Sequence, residues 1–239
     1  ILNGCDLIVM SRNRGDLPVL KIDHPVCVFQ DRRNIGGQQV FVVAMSDDHG
    51  KTLTWTDPVE SEVTDGYTIA VHSNNVTHVL VGGEDGDVSY SDDGGETFEL
   101  LAETTPIIGY VTVAFDTFFD ENDVIYAAVE GKSEGGIYSW VIGSDDEEWT
   151  DLGADHLYGY TGIVLSFDAT GNPFTSPETG GVLYASYIEW GNGTTGVARC
   201  LTPITEEAVC EACPSEWDYL IVGLTDDEDF EVTPDALKM

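Results

Sequence analysis

Residues 91–98 read Ser-Asp-Asp-Gly-Gly-Glu-Thr-Phe, and this stretch decides the fold. It fits the pattern S-x-D-x-G-x-T-aromatic at every specified position. A second copy begins at Ser46, with its aromatic residue displaced to Trp55, and a third, degenerate copy at 144–149 has lost the Gly and the Thr. One short turn motif recurring about every 40–50 residues is typical of the blades of a β-propeller.

Short runs rich in β-branched and aromatic residues fill the intervals, and clusters of Gly, Asp and Asn bound them. No amphipathic helical pattern competes with these runs. The sequence therefore predicts an all-β protein, a propeller or propeller segment of about four visible four-stranded blades. The predicted propeller spans 1–225, with blades at 1–60, 61–104, 105–155 and 156–225, and the acidic stretch 226–239 is predicted to be a linker or arm.

The repeated motif has a local physical purpose. Ser and Asp oxygens accept the unpaired N–H groups of a tight hairpin, Gly supplies a positive φ, Thr begins the returning strand and the aromatic residue is buried. Residues this close on one turn cannot converge as a catalytic triad does, so the motif predicts architecture. The predicted structural residues are Ser46, Asp48, Gly50, Thr52, Trp55, Ser91, Asp93, Gly95, Thr97 and Phe98.

The motif resembles the Asp box, or bacterial neuraminidase repeat, of sialidases, sortilin-type receptors and many secreted propellers. Residues 115–128 followed by 135–139, with their V-I-Y-A-A and G-G-I-Y-S phrases, are similar to blades of secreted and surface-layer propeller proteins. The resemblance covers roughly residues 36–222; it implies a β-propeller and leaves the function open. Sialidases resemble one another in an arginine trio spread over several blades. Here four of the five arginines precede residue 34, so a sialidase-like glycoside hydrolase is the less favoured alternative.

The charge of the chain excludes some partners. Forty-four Asp and Glu face nine Lys and Arg, giving a formal net charge of −35 at pH 7. We therefore expect binding neither to nucleic acid nor to anionic lipid. No apolar run approaches the roughly 20 residues of a membrane helix, so no membrane insertion is predicted for this segment. Salt or divalent cations would screen the repulsion among the acids.

Cysteines and glycosylation sequons favour an extracellular or cell-surface protein. Cys5 with Cys27, and Cys200 with Cys210 or Cys213, are the candidate disulfides, while zinc at the Cys210-x-x-Cys213 pair is the alternative. The candidate glycosylation sites are Asn75 and Asn192, both in predicted turns.

Two acidic turns are candidates for a calcium site. The alternative interpretation is that these acids are solvated turn formers. The candidate ligands are Asp85, Asp87, Asp120, Asn122 and Asp123.

These observations predict a non-enzymatic exported protein whose propeller is a scaffold for self-assembly or protein–protein interaction, such as a surface-layer component. Residues 226–229 read Asp-Asp-Glu-Asp and are one candidate contact for self-association. The alternatives are a propeller module that binds a glycan or a peptide, and the glycoside hydrolase.

Overall fold

The computed structural model describes residues 6–8, 19–21, 27–35, 38–46, 57–72, 75, 77–131, 134–152, 160–166, 176–188, 195–204 and 217–220. The chain divides into two compact units, residues 1–101 and 102–239. Within the described ranges, no helix is long and apolar enough to cross a membrane.

The first unit contains three antiparallel sheets. A two-stranded ribbon comprises β1 (Asp6–Ile8) and β2 (Val19–Lys21). A three-stranded sheet follows in sequence order, with β3 (Cys27–Ile35), β4 (Gln38–Ser46) and β5 (Val59–Glu60). The third is four-stranded, with β6 (Gly66–Val71), β7 (Val79–Gly83), β8 (Val88–Ser91) and β9 (Glu99–Leu100).

The second unit contains two four-stranded antiparallel sheets, each with its strands in sequence order. The first has β10 (Gly109–Phe115), a one-turn helix α1 (Phe119–Asn122), β11 (Val124–Gly131), β12 (Gly135–Val141) and β13 (Thr150–Asp151). The second has β14 (Tyr160–Ser166), β15 (Val182–Ile188), β16 (Thr195–Cys200) and β17 (Trp217–Leu220).

The prediction of antiparallel β-sheets is confirmed. A four-stranded meander in sequence order is the arrangement of a propeller blade. The number of blades, the closure of a ring, the blade limits and the arm at 226–239 stay predictions.

Two local expectations differ from the structure. The predicted blade at 1–60 would include strands at Leu7 and at 40–45 in one sheet, whereas β1 pairs with β2 as a separate ribbon. Pairing with the nearest apolar run closes a short loop, which costs less entropy than a long one. The stretch 119–122, predicted as a turn, forms α1. Residues 53–55, which the sequence predicts as the last strand of the same blade, lie outside the described residues. Strand β5 pairs with β4 on the side away from β3.

The two sheets of the second unit pack face to face. Alternate positions of β11 and β12, including Tyr126, Ala128 and Ile137, form one core cluster with Leu183 and Ala185 of β15. Strand β11 is buried on both faces along its first six residues. Side chains from both sheets therefore fill this core, as stacked blades require.

Asp116 joins these two sheets through a fully bonded carboxylate. It follows β10 directly and is 1% exposed. One carboxylate oxygen, Oδ1, accepts the Phe118 N–H at 2.8 Å and the Asn122 Nδ2 at 2.9 Å. The other, Oδ2, accepts the Tyr126 hydroxyl at 2.8 Å and the Gly181 N–H at 2.9 Å. Four donors offset the cost of burying this carboxylate.

Two glycines allow the close approach on which this bonding depends. Gly180 has φ +77°, and a Cβ there would lie 2.8 Å from the Tyr126 hydroxyl oxygen. A Cβ at Gly181 would collide with the Thr117 side chain. Burial, and then the charge of Asp116, raises the pKa of Tyr126 well above its usual value. Tyr126 therefore stays a neutral donor to Asp116.

Asp116→Asn is predicted to lower the free energy of unfolding by about 2–4 kcal/mol. The new amide NH₂ replaces one of the two accepting oxygens, and the backbone N–H groups that donate to this carboxylate cannot turn into acceptors. Chemical denaturation at constant salt measures the change. Asp123→Asn is the control: Asp123 is exposed, it has φ 55°, and asparagine tolerates that conformation. Equal stability of the two variants would contradict the prediction.

Candidate functional site

The turn between β8 and β9 is the complete copy of the repeated motif. Ser91 Oγ accepts the Gly95 N–H at 2.8 Å and donates to Asp93 Oδ1 at 2.8 Å. Asp93 Oδ1 accepts the Thr97 N–H at 3.0 Å, and Oδ2 accepts the Thr97 hydroxyl at 2.6 Å. The polar side chains of the motif therefore bond to the turn itself, as a structural fastener does.

Backbone geometry and burial complete the fastener. Gly94 and Gly95 have φ of 78° and 81°, which favours glycine at both positions. Phe98 is buried with Val79 and Val81 beneath the turn. Burial alone would raise the pKa of Asp93, but hydrogen bonds, chiefly from Thr97 and then from Ser91 and the Glu96 N–H, lower it to about 2.

The other two copies are described to different extents. Ser46 ends β4, while Asp48, Gly50, Thr52 and Trp55 lie outside the described residues. In the degenerate copy, Ser144 Oγ accepts the Asp146 N–H at 3.2 Å.

An aromatic residue closes the degenerate turn. Trp149 is 8% exposed and donates through Nε1 to the Glu103 carbonyl at 3.0 Å. Its ring lies 5.2 Å from that of Trp140 between centroids, tilted by 57°. A buried indole thus replaces most of the lost hydrogen bonds as the anchor of this turn.

The metal candidates are exposed or occupied in the fold. Asp87 is 6% exposed, and its Oδ2 accepts the Thr64 N–H at 2.7 Å. Asn122 donates to Asp116 and accepts the Val124 N–H at 3.0 Å. Asp85, Asp120 and Asp123 are exposed. Within the described part of the chain, no three Asp, Glu, His or Cys residues form a group that could hold a metal. Calcium binding stays a prediction.

The disulfide and glycosylation candidates also stay predictions. Cys200 is buried in β16, and Cys27 begins β3; Cys5, Cys210 and Cys213 lie outside the described residues. Asn75 is half-buried, and its side-chain oxygen accepts both the N–H and the hydroxyl of Thr77, at 3.2 and 2.8 Å. Asn192 lies outside the described residues.

An exposed aromatic ring and a carboxylate meet where β10 begins and β11 ends. Tyr110 is 43% exposed and pairs in register with Glu130. Residues directly opposite in an antiparallel pair point to the same face, with Cβ atoms about 4.5–5.5 Å apart. Ile108, which precedes β10, is 60% exposed. Burial raises the pKa of the half-buried Glu130.

The neighbouring sheet brings two further tyrosine positions to this same end. Strand β14 lies beside β10, and its position 160 pairs with position 187 of β15. The bond from Gly181 to Asp116 fixes the start of β15 beside the end of β10. Positions 160 and 187 therefore lie toward the same end of the packed sheets as the pair of positions 110 and 130.

The sequence analysis missed this end of the sheets. A Gly-Tyr dipeptide occurs at 66–67, 109–110 and 159–160, where β6, β10 and β14 begin. Aligning the repeats on the starts of these strands, instead of on the turn motifs, would have identified this end of the sheets. Tyr67 is 39% exposed, and its neighbours on β6 pair with Gly82 and Gly83.

Comparison with solved structures relates this fold to larger proteins. A GH74 enzyme from Niastella koreensis matches with a TM-score of 0.51 at 21% identity, over 75% of this chain and 26% of that one. YCF48 from Cyanidioschyzon merolae matches with a TM-score of 0.45 at 14% identity, over 84% of this chain and 61% of that one. The NanB sialidase from Streptococcus pneumoniae matches with a TM-score of 0.39 at 14% identity, over 76% and 32%.

The first of these matches shows the fold alone, that of a protein built from propeller blades. The chain spans less than two thirds of the length of each of the three. No family model matches the chain, and no curated protein matches it significantly. Membership of the Asp-box group and the likeness to surface-layer proteins stay predictions.

Asp93→Ala is predicted to destabilise the first unit by about 1–2 kcal/mol, because it removes the acceptor of the Thr97 and Ser91 bonds. Thermal or urea unfolding measures the loss. Asp92→Ala is the matched control, since Asp92 is the exposed neighbour on the same turn. An equal loss of stability in Asp92→Ala would contradict the prediction, because it would assign the effect to the removal of one negative charge from the turn and not to the lost hydrogen bonds.

The contribution of Asp93 to stability is predicted to depend on pH. Its folded pKa of about 2 lies below the ordinary value of 3.8. The folded state therefore gains stability from the ionised carboxylate above the ordinary pKa and loses it as pH falls through the folded pKa. The melting-temperature gap between wild type and Asp93→Ala should be constant above roughly pH 5 and shrink toward pH 2. A gap that widens on acidification would contradict this.

Proposed function

We propose that the chain is part of an exported, non-enzymatic propeller protein that acts as a scaffold for assembly at the cell surface, for example in a surface layer. The observation that carries the proposal is the charge, 44 acids against nine basic residues. At low ionic strength copies of such a protein repel one another, and cations convert the same surfaces into contacts.

The described turns carry acids in positions suited to such contacts. Residues 145–148 read Asp-Asp-Glu-Glu, and all four are exposed. Asp120 and Glu121 are exposed on α1. Carboxylates of two copies can together complete the six to eight oxygen ligands that calcium takes. A divalent ion would then bridge protomers.

The roles of the best-bonded carboxylates also support a scaffold. Asp93 holds the turn at 91–98, and Asp116 holds the two sheets of the second unit. Hydrolysis of a glycoside needs two carboxylates that flank one sugar and are accessible to it. These two acids are committed to the fold.

Calcium is predicted to increase the mass of the full chain in solution. Multi-angle light scattering compares calcium chloride with sodium chloride at equal ionic strength, so that screening is matched. The expected result is a larger mass in calcium that returns to the starting mass when a chelator is added. A monomer at every salt level, unchanged by the chelator, would overturn the proposal.

A second variant tests whether the calcium-dependent contact between copies is made by the acidic C-terminal stretch or by the acidic turns of the sheets. Replacing residues 226–229 by their amides removes four charges without shortening the chain. Loss of calcium-dependent assembly would assign the contact to this stretch. Unchanged assembly would assign it to the acidic turns, such as 145–148.

Two competing functions have direct tests. For the glycoside hydrolase, turnover of any member of a panel of chromogenic glycosides by the full chain would overturn the non-enzymatic proposal. For a glycan-binding module, specific hits on a glycan array that persist at high salt would favour that alternative, because screening removes nonspecific charge attraction.

A further inference from the structure

The end of the second unit where β10 begins joins aromatic surface to negative charge. Tyr110 is 43% exposed and lies opposite Glu130 on the same face of the sheet. Inward along β11 this face continues as Ala128 and Tyr126, which belong to the core. The pair therefore lies where the core between the two sheets reaches solvent.

Strand β15 of the facing sheet runs toward the same end. Leu183 and Ala185 of β15 pack into the core against the first sheet. Position 187 lies two residues further along β15 and pairs with position 160 of β14. Both positions are tyrosines in the sequence. The backbone at positions 160 and 187 thus lies toward the same end of the two packed sheets as Tyr110 and Glu130.

This combination of groups favours a cation. The face of an aromatic ring attracts a positive charge, and a carboxylate beside it adds a direct Coulomb attraction. Burial disfavours the anionic form of Glu130, and a bound cation would offset that cost. The net charge of −35 draws cations toward the protein and repels anions.

We propose that the surface formed by Tyr110 and Glu130 is a recognition site for an alkylammonium group, presented as a lysine side chain by a partner protein. This inference rests on the proposed scaffold function and names the chemistry of the partner. An ammonium head would lie between the tyrosine ring and the carboxylate, and its alkyl stem would contact the exposed Ile108.

The test is a titration of the full chain with tetramethylammonium, followed by NMR or calorimetry at physiological salt. The neutral control probe is tert-butanol, which has a similar size and no charge. Tyr110→Ala is expected to weaken tetramethylammonium binding about threefold to thirtyfold. Tyr110→Phe should stay within about twofold of wild type, because it keeps the aromatic face. Glu130→Gln should weaken binding by about threefold or more through the lost charge.

Tyr67→Ala is the matched control variant. Tyr67 occupies the equivalent strand start at similar exposure, and its neighbours on β6 pair with Gly82 and Gly83, where Tyr110 itself pairs with Glu130, so its replacement should leave binding unchanged. A lysine probe, Nα-acetyl-lysine methylamide, should compete with tetramethylammonium for the same site.

Several outcomes would overturn the inference. These are equal binding of tert-butanol, an equal loss in Tyr67→Ala, or wild-type binding by Glu130→Gln. If Tyr110→Ala does not fold, Tyr110→Phe and Glu130→Gln still decide the matter, since both preserve side-chain size. Glu130→Gln is also tested for calcium-dependent assembly, so that a failure of ammonium binding can be told apart from a failure of assembly. If the wild-type chain assembles in calcium but does not bind tetramethylammonium, only the recognition site is contradicted. If the wild-type chain does neither, the scaffold proposal is contradicted as well.

Discussion

The buried carboxylate of Asp116 is the interaction on which the second unit depends. It lies at the end of one sheet and accepts a backbone N–H at the start of a strand in the next, along with three donors of its own sheet. An ionised carboxylate without these partners would be very costly to bury. The bond to Gly181 also fixes which strand ends lie side by side. Tyr110 and Glu130, paired within β10 and β11, lie at the far end of the same sheet.

The local chemistry of the turns could be predicted from residue types. The roles of Ser91, Asp93, Gly95 and Thr97 follow from short-range bonding that any hairpin with these residues can make. Asp116 could not be found in this way, because its partner Gly181 is 65 residues away and no local pattern marks it. The ribbon of β1 and β2 was missed for a related reason, since periodicity identifies strands without choosing their partners.

The candidate recognition site was hidden by the composition. Among 44 acids no single glutamate is conspicuous, and Glu130 becomes informative only through its register with Tyr110. The recurring Gly-Tyr dipeptide is visible in the sequence, but it gains meaning only once the strand starts are known. Residue types therefore predicted what holds the turn at 91–98, whereas cross-strand register was needed to show that Tyr110 lies opposite Glu130.

The degenerate turn at 144–149 shows how a blade can keep its shape while its motif decays. Once the Trp149 indole is buried and bonded to the Glu103 carbonyl, the hairpin no longer relies on the polar side chains that precede it. Substitutions at those positions should therefore cost the hairpin little stability. This loop is therefore a natural place to graft an epitope or a fluorophore, whereas the same insertion at 91–98 would open the hairpin.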